Sequence, residues 1–204
     1  MSLTPDEQAR ISAAIRAAET RTGAELVCVL AERASFYATF PLVWAILPTL
    51  ALPWLLVHVT TWTISRVLLA QLGLFAALLL VFSIPAIRLA LVPRRIQRST
   101  AHRAALEQFV MRGLARKPER TGVLVFVSRA EHYVRIVADA GVAEKVPQKA
   151  WDEAVAAMTR AFREDRVADG FIAGIERCTD VLAEAVPPVA GETKVLPDRI
   201  YVIE

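Results

Sequence analysis

Apolar residues are distributed along this chain in three different rhythms, and each rhythm predicts a different kind of element. From Pro5 to Thr20, Ile11, Ala14, Ile15 and Ala18 recur at helical spacing behind Thr4-Pro5-Asp6-Glu7. That opening supplies a hydroxyl N-cap, a proline at the first helical position and a glutamate to complete a capping box, so an amphipathic helix is expected there. Short continuous apolar runs follow the second rhythm: Ala24–Leu30 and Gly122–Ser128 read as strands buried on both faces. Tyr133–Asp139 alternates instead, as expected of a strand with one face partly wet. The third rhythm is unbroken. Phe40–Val59 and Val67–Ile87 are long apolar runs with no acid, joined only by Thr60–Arg66. Each is about the length needed to cross a ~30 Å hydrocarbon layer as a helix.

The remaining elements follow from the same patterns. Ser99–Arg116 is expected to be a helix with Ala105, Leu106, Phe109, Val110 and Leu114 inward. Pro147 opens a helix to about Arg163 with Trp151, Val155, Met158 and Phe162 as its stripe. Asp169 is expected to cap a last helix, Phe171–Ala185, and Arg199–Ile203 is short and strand-like. The predicted organisation is a first part of an α/β domain at 1–33, a transmembrane hairpin at 34–97 and the remainder of that domain at 98–204. The N-terminal part alone is too short to bury a core. The fold expected is a small α/β sandwich with a mixed sheet, interrupted by a two-helix hairpin.

Charge sharpens this picture. Ala34 to Leu106 contains no acid, and Ala34–Arg98 holds five arginines, Arg66, Arg88, Arg94, Arg95 and Arg98. Outside that segment 19 basic residues face 21 acidic ones, so the overall +3 belongs to the membrane border and argues against nucleic acid as a partner. A buried soluble hairpin fails on the length of the runs and on the missing acids. A hairpin returns the chain to its starting side, and the arginines after the second run outweigh Arg66 and His58 in the connection. The positive-inside bias therefore predicts a multi-pass inner (plasma) membrane protein with its domain in the cytoplasm. Arg94–Arg103 would lie at anionic headgroups or act as a plain topology determinant. No acid and no central base interrupts either run, so nothing marks an ion path. Pro41, Pro48 and Pro53 permit a kink in the first run. The first run begins too late for a cleavable leader and is expected to act as its own insertion signal.

Thr22–Val29, Arg120–Ser128, Val134–Gly141, Phe162 and Phe171–Ile175 together resemble the TPM domain family. That family takes its name from a thylakoid lumen acid phosphatase, a photosystem II repair protein and a receptor-auxiliary membrane protein. The resemblance implies a membrane-anchored α/β sandwich serving membrane-protein assembly, repair or quality control through a membrane-protein partner. Its alternative implication is a weak metal-assisted acid phosphatase. This chain departs from the family pattern by carrying a hairpin inside the domain, and by Thr121 where an asparagine often precedes the glycine.

Candidate chemistry is sparse. If the strand before the hairpin and the strand at Gly122 run parallel, the end of the third strand lies at the opposite pole from the chain's exit, about 23 Å away at ~3.3 Å per residue. Asp139, Gly141 and Glu144 are expected to meet Thr22-Gly23 there, and the resemblance carries an acidic site to Asp139. Asp139 and Glu144 are oxygen donors suited to a hard divalent cation, Ca or Mg. The alternative is a strand end whose carboxylates cap a backbone turn or pair with Arg135 and Lys145. Ser128 has no base identifiable beside it in sequence, and His132 and His102 read as surface groups. There is no phosphate loop, His-Glu metal motif or nucleophile elbow, and Cys28 and Cys178 read as buried thiols.

Overall fold

The computed structural model describes residues 3–35, 37, 39–116, 119–188 and 197–203. The chain divides into two compact units, one formed by Met1–Ala34 with Thr100–Glu204 and the other by Ser35–Ser99.

In the first unit, helix α1 (Pro5–Arg21) is held by the capping box expected from Thr4 and Glu7, with the Thr4 amide 2.8 Å from the Glu7 carboxylate. Strand β1 (Glu25–Ala31) is buried along its whole length. After the second unit come helix α5 (Arg94–Met111), which begins in that unit, a 3₁₀ turn (Leu114–Arg116), β2 (Gly122–Ser128) and β3 (Tyr133–Ala138). The chain then forms α6 (Ala140–Ala143), α7 (Gln148–Arg163), α8 (Val167–Ala185) and β4 (Ile200–Ile203). The sheet order is β3-β2-β1-β4. β1 pairs parallel with β2, from Glu25↔Gly122 to Ala31↔Ser128, and parallel with β4; β2 pairs antiparallel with β3. The mixed α/β sheet expected from the sequence is present, with both fully apolar runs at its centre.

The alternation of a strand assigns its residues to two cores. Leu26, Cys28 and Leu30 pack with Val123, Val125 and Val127 under α1, α7 and α8. Val27, Val29 and Ala31 pack with Leu124 and Phe126 under α5, whose Ala105 and Phe109 point inward together with Leu114. Close contact between α7 and α8 depends on two residues without side chains. A Cβ on Gly170 would lie 2.3 Å from the Phe162 ring, and one on Gly174 would lie 2.4 Å from Met158. Phe162 then meets Phe171 edge to face at 5.7 Å.

The second unit contains α2 (Thr39–Val59), α3 (Ile64–Phe82) and the short α4 (Pro85–Ala90). α2 and α3 are long and apolar enough to cross a membrane, each about 30 Å at 1.5 Å per residue. Trp54, Leu55, Ile64 and Leu69 are exposed rather than packed inside, unlike the residues of a soluble core helix. α2 stays helical through Pro48 and Pro53. The second apolar run is earlier than expected: α3 starts at Ile64 and stops at Phe82, because Ser83 caps it and Pro85 opens a new helix.

Two boundaries differ from expectation in the first unit as well. Asp169 is not the cap of the last helix; α8 begins at Val167, and Asp169 sits in its first turn, paired with Arg10 at 2.7 Å. The helix expected at Ser99–Arg116 starts earlier, at Arg94, and its last turn tightens into the separate 3₁₀ segment after Gly113, which adopts φ 79°.

Candidate functional site

The parallel β1–β2 pair places the beginnings of both strands, and the end of β3, at one pole of the sheet. Asp139 is there, its amide donating to the Gly122 carbonyl at 2.9 Å. Its carboxylate caps α6: Oδ1 accepts the Ala140 N–H at 2.7 Å and the Arg120 Nε–H at 3.1 Å. Only 5% of the Asp139 side chain is exposed, against 61% for Arg120. Among the described residues, Oδ2 of Asp139 is buried without a hydrogen-bond partner, and so is Oγ1 of Thr121. Arg120 itself adopts φ 53°, in the left-handed region that non-glycine residues rarely occupy.

Gly141 is needed where it stands. A Cβ there would come within 2.6 Å of the Glu119 carbonyl oxygen and 2.8 Å of the Arg120 oxygen, so the first turn of α6 lies directly against the segment before β2. Glu144 is exposed at the C-cap of α6.

The partners of this pole differ from those expected. Asp139 and Gly141 meet residues 119–122, whereas Thr22 and Gly23 bond to the end of α8: Thr22 Oγ1 donates toward the Val186 carbonyl at 2.8 Å and the Gly23 N–H donates to it at 2.9 Å. The reason is register. Ser128↔Tyr133 closes the β2–β3 hairpin, which brings Asp139 to Gly122 and puts Arg120 two residues away. That register was available in the sequence, and Arg120 could have been found with it. Glu25 was also overlooked: it is buried at the start of β1, opposite Gly122.

The other pole, where β1 and β2 end, holds a buried carboxylate of its own. Glu131 accepts the Ala34 N–H on both oxygens at 3.1 Å and the hydroxyl of Ser128. Arg129 reaches Glu32 at 3.2 Å and Asp165 at 3.7 Å. Ser128 therefore has an acidic neighbour that sequence reading missed, but at 1% exposure its hydroxyl is closed to a substrate. The cluster ties down the chain where it leaves the domain. His132, exposed in the turn at φ 48°, takes no part in it.

A hard cation at the first pole is a poor fit for a dedicated cage. Asp139 Oδ1 is already shared by an amide and a guanidinium, and among the described residues no group of three or more His, Cys, Asp or Glu side chains converges. Calcium takes six to eight oxygens. Of the border arginines, Arg94, Arg95 and Arg98 are exposed, and Arg88 donates to the Ser83 carbonyl at 3.2 Å. Cys28 and Cys178 are buried, and burial pushes both thiols up, Cys178 to about 12.

The molecule is thus a mixed-sheet α/β domain, with helices on both faces, whose β1–β2 crossover contains two long apolar helices. A family model described as the TPM domain matches residues 85–181, so this part of the chain is similar to that family. The match starts at α4 and leaves out α1 and β1, the N-terminal part of the fold. No curated protein matches the chain at a significant level. Among solved structures, the NMR structure of the BA42 protein from the psychrophilic bacterium Bizionia argentinensis is similar, with a TM-score of 0.61 and 18% identity over 99% of this chain and 96% of that one. At that identity the likeness shows the fold.

Proposed function

We propose that this chain is an inner-membrane protein whose TPM domain faces the cytoplasm and binds a membrane-protein partner during assembly, repair or quality control, without catalysing a reaction itself. The observation that carries the reading is the pair of apolar helices inserted between β1 and β2, whose side chains lie exposed along their lengths and need lipid to cover them. The cytoplasmic side rests on Arg88, Arg94, Arg95 and Arg98 against the single Arg66 near the connection. The non-catalytic part rests on the use to which the buried polar groups are put. Glu131 and Ser128 hold the exit of the chain, and Asp139 caps a helix beside a neutralising arginine. Alkaline extraction and flotation test the anchor: the protein should stay with the membrane, and its recovery in the soluble fraction would refute it. Protease treatment of inverted vesicles should remove the domain. Crosslinking in membranes should then recover one membrane protein at a fixed ratio to this chain; no such species at any crosslinker span would remove partner binding.

The second reading, an acid phosphatase using Asp139, draws on the unpartnered Oδ2 of that residue next to Arg120. A hydrated magnesium, which keeps most of its waters, is the cation such a donor suits. Phosphatase assay of the detergent-purified chain and of Asp139→Asn decides it, and equal background rates in both would eliminate the enzyme.

A further inference from the structure

The two faces of the sheet carry different charge. α1, α7 and α8 cover one face and carry nine acids against seven bases, so that face is close to charge balance. α5 and the 3₁₀ turn after it cover the other face. Within the first unit the stretch from Thr100 to Arg116 carries Arg103, Arg112 and Arg116 against a single acid, Glu107, and α5 opens in the second unit on Arg94, Arg95 and Arg98. The same helix leaves a ridge of large apolar side chains in solvent: Leu106 at 43%, Val110 at 63% and Met111 at 76% exposure. Its inner side is already used by Ala101, Ala105 and Phe109, so this ridge cannot belong to the core. On the flanks of α5 the strand residues are only half covered. Arg135 is exposed in β3, and Arg112 lies over the Tyr201 ring of β4 at 3.8 Å.

We infer that the α5 face of the domain is a lipid-contacting surface, with Leu106, Val110 and Met111 entering the headgroup layer of an anionic membrane. The inference rests on the membrane-anchored reading above. Arginines around exposed leucine, valine and methionine on one helix are the chemistry of an interfacial helix, where apolar burial and attraction to anionic headgroups add. A bilayer is the occupant the charge selects: an acidic partner protein would complement the arginines, yet it would leave the ridge to find its own pocket, whereas headgroups and acyl chains satisfy both. The α1–α7–α8 face, where acids and bases nearly balance, is then directed away from the membrane and free for a partner.

The test uses the whole chain with Val110→Cys carrying an environment-sensitive fluorophore, and Glu153→Cys as the control on α7. The native thiols are buried and stay unlabelled in the folded protein. In nanodiscs containing phosphatidylglycerol, the label at 110 should be blue-shifted and quenched severalfold more by headgroup nitroxides than the label at 153. Phosphatidylcholine discs or high salt should weaken this quenching, as should Arg103→Glu with Arg116→Glu. A label at 110 that stays in water while the protein remains in the disc overturns the inference and leaves the anchor standing. Protection that is also seen in detergent and grows with protein concentration assigns the face to a second copy, and overturns it too. A chain that never enters the discs removes the anchor and this surface together.

Discussion

Replacing Gly141 with alanine tests whether the packing of α6 against the start of β2 is a tight structural joint. The added Cβ would sit 2.6 Å and 2.8 Å from two carbonyl oxygens, those of Glu119 and Arg120, which are backbone atoms that cannot rotate away. Either the 119–120 segment retreats by several tenths of an ångström, or α6 does. Retreat of the segment would pull Arg120, already at φ 53°, off the carboxylate it holds at 3.1 Å. Overpacking of this kind costs about 1–3 kcal/mol. Alanine recovers less than the ~0.8–1.0 kcal/mol of a helix interior, because position 141 lies in the first turn of a four-residue helix. A net loss of about 1–2 kcal/mol is expected, equivalent to a fall of roughly 3–8 °C in the midpoint of a domain this size. Thiol labelling during a temperature ramp is the assay, since Cys28 and Cys178 both lie in the first unit and become reactive only when it opens. Gly73→Ala, with nothing within 4 Å of its Cβ, is the control and should leave that midpoint unchanged. A Gly141→Ala midpoint equal to or above the parent would refute the reasoning, and with it the claim that the Arg120–Asp139 arrangement is held from below.

Glu131→Ala should cost about 1–3 kcal/mol by leaving the Ala34 N–H and the Ser128 hydroxyl without their acceptor, measured by the same labelling midpoint; a neutral result would mean the exit clamp is not strained by its loss. Burial raises the Cys178 thiol to about 12, so the folded state binds its proton more tightly than the unfolded state does. Stability from this group is complete below the unfolded value and declines as pH rises from about 8.5 toward 12, by up to about 1.4 kcal/mol per pH unit; Cys178→Ala should flatten that alkaline slope in denaturant titrations. Glu7 is held below its usual range by the Thr4 backbone N–H, and Asp169 by hydrogen bonding to Arg10. Their stabilisation should persist above about pH 4 and fade as pH falls through their lower folded values, and Arg10→Ala should reduce the acid sensitivity seen in the same titrations.

The fold was legible where local chemistry and burial agree. Thr4 and Glu7 announce α1, and Val123–Val127 can be nothing but a central strand. The apolar stretch from 39 to 82 declares two long helices, although the sequence alone placed the end of the second five residues late. There, Ser83 and Pro85 overrule a hydropathy that continues past them. The site was legible in part. Asp139 was found at the right pole and the cap was one of its two readings, but its partner is Arg120 rather than Arg135 or Lys145, because that pairing depends on hairpin register and not on composition. Glu131 was missed as the partner of Ser128 and Ala34 since its bonds span a turn and a separation of 97 residues. The exposed ridge of α5 was misread for a simpler reason. Leu106 and Val110 look like core residues in a periodic pattern, and only the structure shows the helix buries a narrower stripe.

The position of the hairpin has a consequence for how the protein comes into being. β1 sits between β2 and β4, yet both neighbours are synthesised after residue 120, and Glu25 meets Gly122 across 97 positions of chain. On the membrane-anchored reading proposed above, the first strand has no backbone partners until both apolar helices have emerged and found lipid. Closing so long a loop by diffusion is slow, whereas a pair of spans threaded through a bilayer would return the chain to the side it left. On that reading insertion would be the step that licenses maturation, and a chain that missed the bilayer would be left with an orphan apolar strand, a ready signal for a protease or a chaperone.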